Sequence, residues 1–309
     1  MMYGMIGLGM MGRAMATRLV EAGYDLVVYN RTLSKAERFA KQYPAHVQVA
    51  SSPRELAEKS QWIFSVVTDD LAIEQIAGTG HDDHGLLSAL GPQHIWVDSS
   101  TISPRLSRKM SDMVAQTGAV RLEAPVSGSV DAARAGTLLM FIGGSQDVME
   151  HVRPALDHMA ARIEWVGEVG QALALKLGMN LNLALQIEGF VEGMMIAESA
   201  GLPREKVIHF MLNSVIASPA LKYRVPLAQN PPDEPWFTIK LMLKDLNLAL
   251  EQANQHATAI PLTSMTADLL RLAVRHRVGD EDLAELINYM SALVGSPEGH
   301  MVRKGGNDK

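Results

Sequence analysis

The 309-residue chain contains no cysteine. That removes disulfides, thiolate-bound zinc and iron–sulfur clusters, together with every mechanism that needs a thiol nucleophile. Oxidation of an aldehyde through a thiohemiacetal is therefore excluded. Positive charge is not in excess either: 28 Lys and Arg stand against 34 Asp and Glu, a net charge of −6. Nucleic acid is not an expected partner, and an anionic substrate needs a local positive site. A long uncharged apolar run is also missing. Leu173 to Ala200 comes nearest, but Lys176, Glu188, Glu192 and Glu198 interrupt it, so no membrane partner is expected. The opening Met1-Met2-Tyr3-Gly4-Met5-Ile6 does not read as a signal peptide, and the expected location is cytoplasmic.

What is present is an ordinary globular composition, 47% hydrophobic and 20% charged. The 19 methionines read as core filler. Strand-type runs at 2–7, 25–29, 47–49, 62–67 and 95–98 alternate with helix-type segments at Met11 to Glu21, Ser34 to Gln42 and after Ser52-Pro53. Ser34 is the expected cap of the second helix, and Pro53 suits a first helical position. Further strands are expected near Val120 to Glu123, Leu138 to Gly143 and Ile163 to Val166, with a helix from about Asp147 to Met159. This alternation predicts a Rossmann-type, doubly wound parallel α/β sheet. After Gly170 the pattern becomes helical, at roughly 170–200, 204–213, 217–228, 236–256, 262–276 and 280–293. The expected division is a dinucleotide-binding domain over residues 1–164, an all-α substrate and dimerisation domain over 165–295, and a disordered tail over 296–309.

Gly7-Leu8-Gly9-Met10-Met11-Gly12 spells G-x-G-x-x-G between the first strand and the first helix. The first glycine permits the tight turn, the second lets a pyrophosphate approach the backbone, and the third lets helix and strand pack closely. The diphosphate then meets the free N–H groups and positive dipole end of the helix. The second strand is followed by Asn30-Arg31-Thr32, with no carboxylate. Nothing there repels a 2′-phosphate and Arg31 can pair with one, so NADP(H) is expected over NAD(H). A solvated loop arginine remains the plain alternative.

Lys176 and Asn180 are four residues apart and share one helical face. A lysine in a pocket can protonate a developing alkoxide during hydride transfer. By spacing alone, a lysine snorkelling along a surface fits equally well. His81-Asp82-Asp83-His84 can be drawn as a metal site, but its glycine-rich setting reads as a solvated loop and no metal is expected. Glu188 and Glu192 share a face and read as a polar surface or an interdomain contact. Ser127 lacks a Gly-x-Ser-x-Gly elbow, which argues against serine hydrolase chemistry.

Five segments in order resemble the β-hydroxyacid dehydrogenase family, over nearly the whole chain to about residue 294. They are Ile6 to Gly12, Asp98-Ser99-Ser100-Thr101-Ile102, Glu123-Ala124-Pro125-Val126-Ser127-Gly128, Gly167 to Asn180 through Lys176, and Phe237 to Leu246 through Lys240, Lys244 and Asp245. The resemblance implies an NADP(H)-dependent oxidoreductase interconverting a small carboxylate-bearing aldehyde, of glyoxylate or semialdehyde type, and its hydroxy acid. It implies Lys176 as general acid and base, and Asn180 near the substrate. Ser127 and the Gly128 backbone would hold the substrate carboxylate, beside Ser129. Phe237 would wall the pocket. Val67, Thr68, Thr101 and Lys244 would serve the cofactor, and Asp245 would anchor Lys244 or the nicotinamide end. A homodimer or homotetramer through the helical domain is implied as well. Ser129 stands where the family often has glycine, and Met179, Ala172 and Thr68 are further departures. Oxidation of a 3-hydroxy acid is the nearest alternative. An imine reductase is disfavoured by Lys176, and a non-catalytic NADP-binding relative by the absence of extra modules and basic segments.

Overall fold

A computed structural model describes residues 2–80 and 83–293. Its first elements are β1 (Met2–Ile6), α1 (Met10–Glu21), β2 (Asp25–Tyr29), α2 (Leu33–Gln42), β3 (Val47–Val49) and α3 (Pro53–Lys59). They are followed by β4 (Trp62–Ser65), α4 (Asp70–Ala77), β5 (Ile95–Asp98), α5 (Pro104–Gln116) and β6 (Val120–Glu123). The strands run in the order β3-β2-β1-β4-β5-β6, all parallel. This is the doubly wound order, in which the crevice between β1 and β4 is the switch point where ligands bind. The expected fold class is the one observed.

The strand side chains show why helices cover both faces. In β2, Leu26 and Val28 join one buried cluster while Val27 joins another. In β4, Trp62 and Phe64 face the first cluster and Ile63 the second. A period of two with both sets buried leaves no wet face.

Past β6 the sheet departs from the parallel pattern. β7 (Val126–Ser127), α6 (Val130–Ala135) and β8 (Leu138–Gly143) follow, and β8 runs antiparallel to β6 and β7. The connection explains this: α6 is only six residues long and ends at Gly136 with φ of 69°. A parallel return needs a crossover of about a dozen residues or more. α7 (Gln146–Leu156) then leads to β9 (Ala160–Gly167), which pairs with β8 in parallel.

Capping accounts for several starts. Ser52, Ser103 and Ser145 accept backbone N–H groups at the heads of α3, α5 and α7. Ser34 does not cap α2; that position belongs to Thr32, without a side-chain bond. Asn30 Nδ2 donates to the Thr32 carbonyl at 2.9 Å, folding residues 30–32 into a turn that starts the helix earlier.

The chain divides into two compact units with the break after Leu177. α8 (Gln171–Ser199) runs across that break. The second unit continues with α9 (Arg204–Leu212), α10 (Pro219–Arg224), α11 (Ile239–Gln255), α12 (Pro261–Arg275) and α13 (Leu286–Leu293). Its core includes Ile187, Phe190, Met194, Met242, Leu246 and Leu270. Among the described residues no helix is long and apolar enough to cross a membrane.

Glu188 corrects the expectation of a polar face. It is 6% exposed, and neither carboxylate oxygen has a hydrogen-bond partner among the described residues. Its neighbours Ile187 and Val191 belong to the core, so only Glu192 is exposed. Burial, reinforced by the Glu192 charge, pushes the Glu188 carboxyl up to about 7. A raised carboxyl pKa favours the folded state while the group is protonated. Stability should therefore fall as pH rises from the ordinary carboxylate range through about 7, by on the order of 3 kcal/mol. Denaturant unfolding of wild type and Glu188→Gln across pH 4.5–8 checks this: the substitution should flatten that slope.

Candidate active site

The site begins where β1 ends. Gly7 has φ of 89°, and a Cβ on it would lie 2.1 Å from the Val66 carbonyl oxygen. A Cβ on Gly12 would lie 2.0 Å from the Gly7 carbonyl oxygen, so α1 sits directly on the turn. A Cβ on Gly9 would meet nothing within 4 Å. The first and third glycines are thus closed in by protein, and the second faces open space. Gly9 caps α1 with no side-chain bond, and the first turn carries no acidic residue. That helix end is suited to an anion.

Asn30 has a job the sequence did not suggest. Its Oδ1 accepts the Leu8 N–H at 2.9 Å while Nδ2 holds the Thr32 carbonyl. The amide ties the glycine turn to the loop after β2. A cavity of about 610 Å³ opens here. Of the expected cofactor residues, Gly7, Gly9, Asn30, Arg31, Thr32, Val67 and Thr68 line it. Leu8 and Gly12 are buried beneath the turn, and neither they nor Met10, Met11, Thr101 and Lys244 line the cavity. Lys35, Gln75 and His84 do line it and were missed. A lysine in the first turn of α2, beside Arg31, was the available signal. The described lining holds two permanent cations, Arg31 and Lys35, and no carboxylate.

Behind the cavity lies a buried polar chain. Ser65 Oγ donates to Asp98 Oδ1 at 2.7 Å, and Arg121 Nη2 reaches Asp98 Oδ2 at 2.5 Å with both side chains fully buried. Asp98 also accepts the Ser100 N–H, and Ser100 Oγ accepts the Val67 N–H at 2.9 Å. The loops after β4 and β5 are fixed to each other through these bonds.

The segment expected to hold a carboxylate follows β6. Ser127 is half-buried and Gly128 exposed. Gly128 has φ of 141°, and a Cβ there would lie 2.8 Å from Leu138 Cδ2. Ser129, the departure from the family pattern, caps α6 by accepting the Ala132 N–H at 3.1 Å. Lys176 is half-buried in the second turn of α8.

In the helical unit, Asn180 Nδ2 donates to Asp245 Oδ2 at 2.5 Å. Lys244 Nζ lies 2.8 Å from Asp245 Oδ1, and Asp245 is 2% exposed. The three expected residues therefore form one cluster. Phe237 is held by an unanticipated residue. Asp282 Oδ2 accepts the Trp236 and Phe237 N–H groups, and Asp282 Oδ1 accepts Arg224 Nη1 at 2.8 Å. Among the described residues no three His, Asp or Glu side chains gather as metal ligands. His81 and Asp82 lie outside the described residues.

Residues 2–167 match the family described as the NAD binding domain of 6-phosphogluconate dehydrogenase. Residues 170–290 match that described as NAD-binding of NADP-dependent 3-hydroxyisobutyrate dehydrogenase. The mitochondrial 3-hydroxyisobutyrate dehydrogenase of Mus musculus is 31% identical over 93% of this chain and 86% of its own. The chain belongs to the β-hydroxyacid dehydrogenase family. Glyoxylate/succinic semialdehyde reductase 1 of Arabidopsis thaliana is 28% identical over 93% of this chain and 97% of its own. The solved 3-hydroxyisobutyrate dehydrogenase of Mycobacterium tuberculosis with L-serine superposes with a TM-score of 0.82 at 27% identity, over 94% and 98% of the two chains.

A nicotinamide dinucleotide of this β-hydroxyacid dehydrogenase family fits the residues present: open space over Gly9, an uncapped α1 head and a cation-lined cavity. Two alanine substitutions separate fold from binding. Gly9→Ala should keep the wild-type melting temperature but weaken dinucleotide binding about tenfold or more, because the new methyl occupies the open approach. Gly12→Ala should destabilise the protein itself by about 1–3 kcal/mol, because its methyl overlaps a backbone carbonyl. Thermal melts and fluorescence titration with NADPH measure both.

Proposed function

We propose that the protein is an NADP(H)-dependent oxidoreductase that interconverts a small carboxylate-bearing aldehyde and its hydroxy acid. The observation that carries the cofactor preference is the cavity wall, where Arg31 and Lys35 face the space with no carboxylate among the described lining residues. A ribose 2′-phosphate suits such a wall, whereas an acidic residue after β2 would favour the bare hydroxyl. The bound dinucleotide supplies or accepts the hydride. Every other task falls to this chain.

In this reading Lys176 donates a proton to the carbonyl oxygen as hydride arrives, and removes one in the reverse direction. Ser127 and the backbone of Gly128 hold the substrate carboxylate. Asn180 orients the substrate, with its amide fixed by Asp245, whose other oxygen restrains Lys244. Phe237 excludes water from the aldehyde, and Asp282 keeps its backbone in place. Orientation of the reactants contributes several kcal/mol in order of magnitude. Self-association through the helical unit belongs to the same proposal, supported by exposed Ile196, Phe210, Val215 and Ile216. The similarity to 3-hydroxyisobutyrate dehydrogenase favours a second substrate reading, oxidation of a 3-hydroxy acid, with the same residues in the same roles.

A panel of glyoxylate, succinic semialdehyde and tartronate semialdehyde with NADPH and NADH, and of 3-hydroxy acids with NADP+ and NAD+, tests the reading. Turnover should be found with NADP(H) on one substrate class. Lys176→Ala should bind NADPH normally and lose about 10²-fold or more in kcat; near-normal turnover would reject the assigned role. Arg31→Ala and Lys35→Ala should each weaken NADPH binding about 10-fold or more while leaving NADH unchanged. Equal effects on both dinucleotides would reject the 2′-phosphate assignment.

A further inference from the structure

The head of α8 is held from outside the helix by a buried carboxylate. Glu123, the last residue of β6, is 1% exposed. Its Oε1 accepts the Gly170 N–H at 2.7 Å, at the residue before α8 begins. Gly170 has φ of 97°, and a Cβ there would lie 2.5 Å from Arg108 Nη2, so this corner is tightly enclosed. A Cβ on Gly143 would lie 2.6 Å from Glu123 Oε2, so the carboxylate occupies space that only glycine leaves. A negative group at the head of a 29-residue helix is favoured by the unsatisfied N–H groups there.

Glu123 also ends a connected row of buried polar groups. Arg121 Nη2 pairs with Asp98, and Arg121 Nη1 donates to Ser107 Oγ at 2.7 Å. Burial pushes the Glu123 carboxyl up. Ser107, the Arg121 charge and the N–H groups of Gly170 and Leu173 pull it back toward the ionised form. On one side of Glu123 the chain continues through Ala124-Pro125-Val126 to Ser127 and Gly128. On the other, its hydrogen bond ends on Gly170, the residue that leads into the helix carrying Lys176 in its second turn.

We propose that Glu123 is a positioning residue that ties the Ser127–Gly128 turn to the head of α8 and so sets where the Lys176 ammonium stands. The proposal rests on the acid–base role of Lys176. A displacement of about 1 Å at a reacting group can cost about 100-fold in rate, so loosening the helix head should appear in turnover before it appears in cofactor affinity.

The experiment uses the full chain and compares wild type with Glu123→Gln, Glu123→Asp, Lys176→Ala and the double variant Glu123→Gln/Lys176→Ala. The readouts are NADPH affinity by fluorescence, kcat and KM on the best aldehyde of the panel, and the pH dependence of kcat. Glu123→Gln should bind NADPH within about twofold of wild type, lose roughly 10- to 100-fold in kcat and shift the alkaline limb of the pH profile. Glu123→Asp should recover part of kcat, and Glu123→Gln should cost nothing more once Lys176 is alanine. Unchanged kcat in Glu123→Gln, or a full additive loss in the double variant, would overturn the tie while leaving the role of Lys176 intact. Near-normal kcat in Lys176→Ala would overturn the acid–base reading, and the tie with it. If Glu123→Gln does not fold, Ser107→Ala is measured in its place. That variant should lower kcat about fivefold, and an unchanged value overturns the proposal.

Discussion

Everything in the N-terminal unit hangs on one close approach of backbone to backbone. The Cα of Gly12 lies so near the Gly7 carbonyl that a single methyl would overlap it. This contact seats the head of α1 on the end of β1, at the point where the strand order turns from β2 on one side to β4 on the other. Because α1 is held so low, the space above Gly9 stays open and the free N–H groups of the first turn face it. Asn30 closes the arrangement by bonding Leu8, which brings the loop with Arg31 alongside.

Buried charge is treated in contrasting ways in the two units. Asp98 and Arg121 are both fully buried and bonded to each other and to Ser65, Ser100 and Ser107, which leaves only Arg121 Nε of the two side chains without a hydrogen-bond partner among the described residues. Such a pair contributes little net stability against an apolar substitute, yet losing one member leaves the other uncompensated. It therefore specifies geometry, holding the loops after β4 and β5 in one arrangement. Glu188 has no such partner among the described residues and stays protonated up to about neutral pH. Asp245 lies between these cases, with one oxygen toward Asn180 and the other toward Lys244.

Much of this architecture is legible in the sequence, for identifiable reasons. The buried strands read as short apolar runs because both faces of the sheet are covered, and the glycine turn reads as a motif because two of its three glycines are sterically required. Ser103-Pro104 carries the same start signal as Ser52-Pro53 and opens α5 in the same way. The antiparallel turn of β8 was hidden because it depends on the brevity of α6, not on any residue preference. In the site, single-residue roles were less visible than segments. Asn30 is a structural brace, Lys35 sits one helical turn beyond the motif, and Asp282 acts on Phe237 across 45 residues of chain. Long-range hydrogen bonds of that kind leave no periodic trace.

The most direct test of the central claim is a crystal structure of the protein with NADPH bound. The account predicts diphosphate oxygens within hydrogen-bond distance of the N–H groups opening α1, directly over Gly9, with the 2′-phosphate against Arg31 and Lys35. A dinucleotide seated elsewhere, or with its diphosphate away from that helix end, would contradict it.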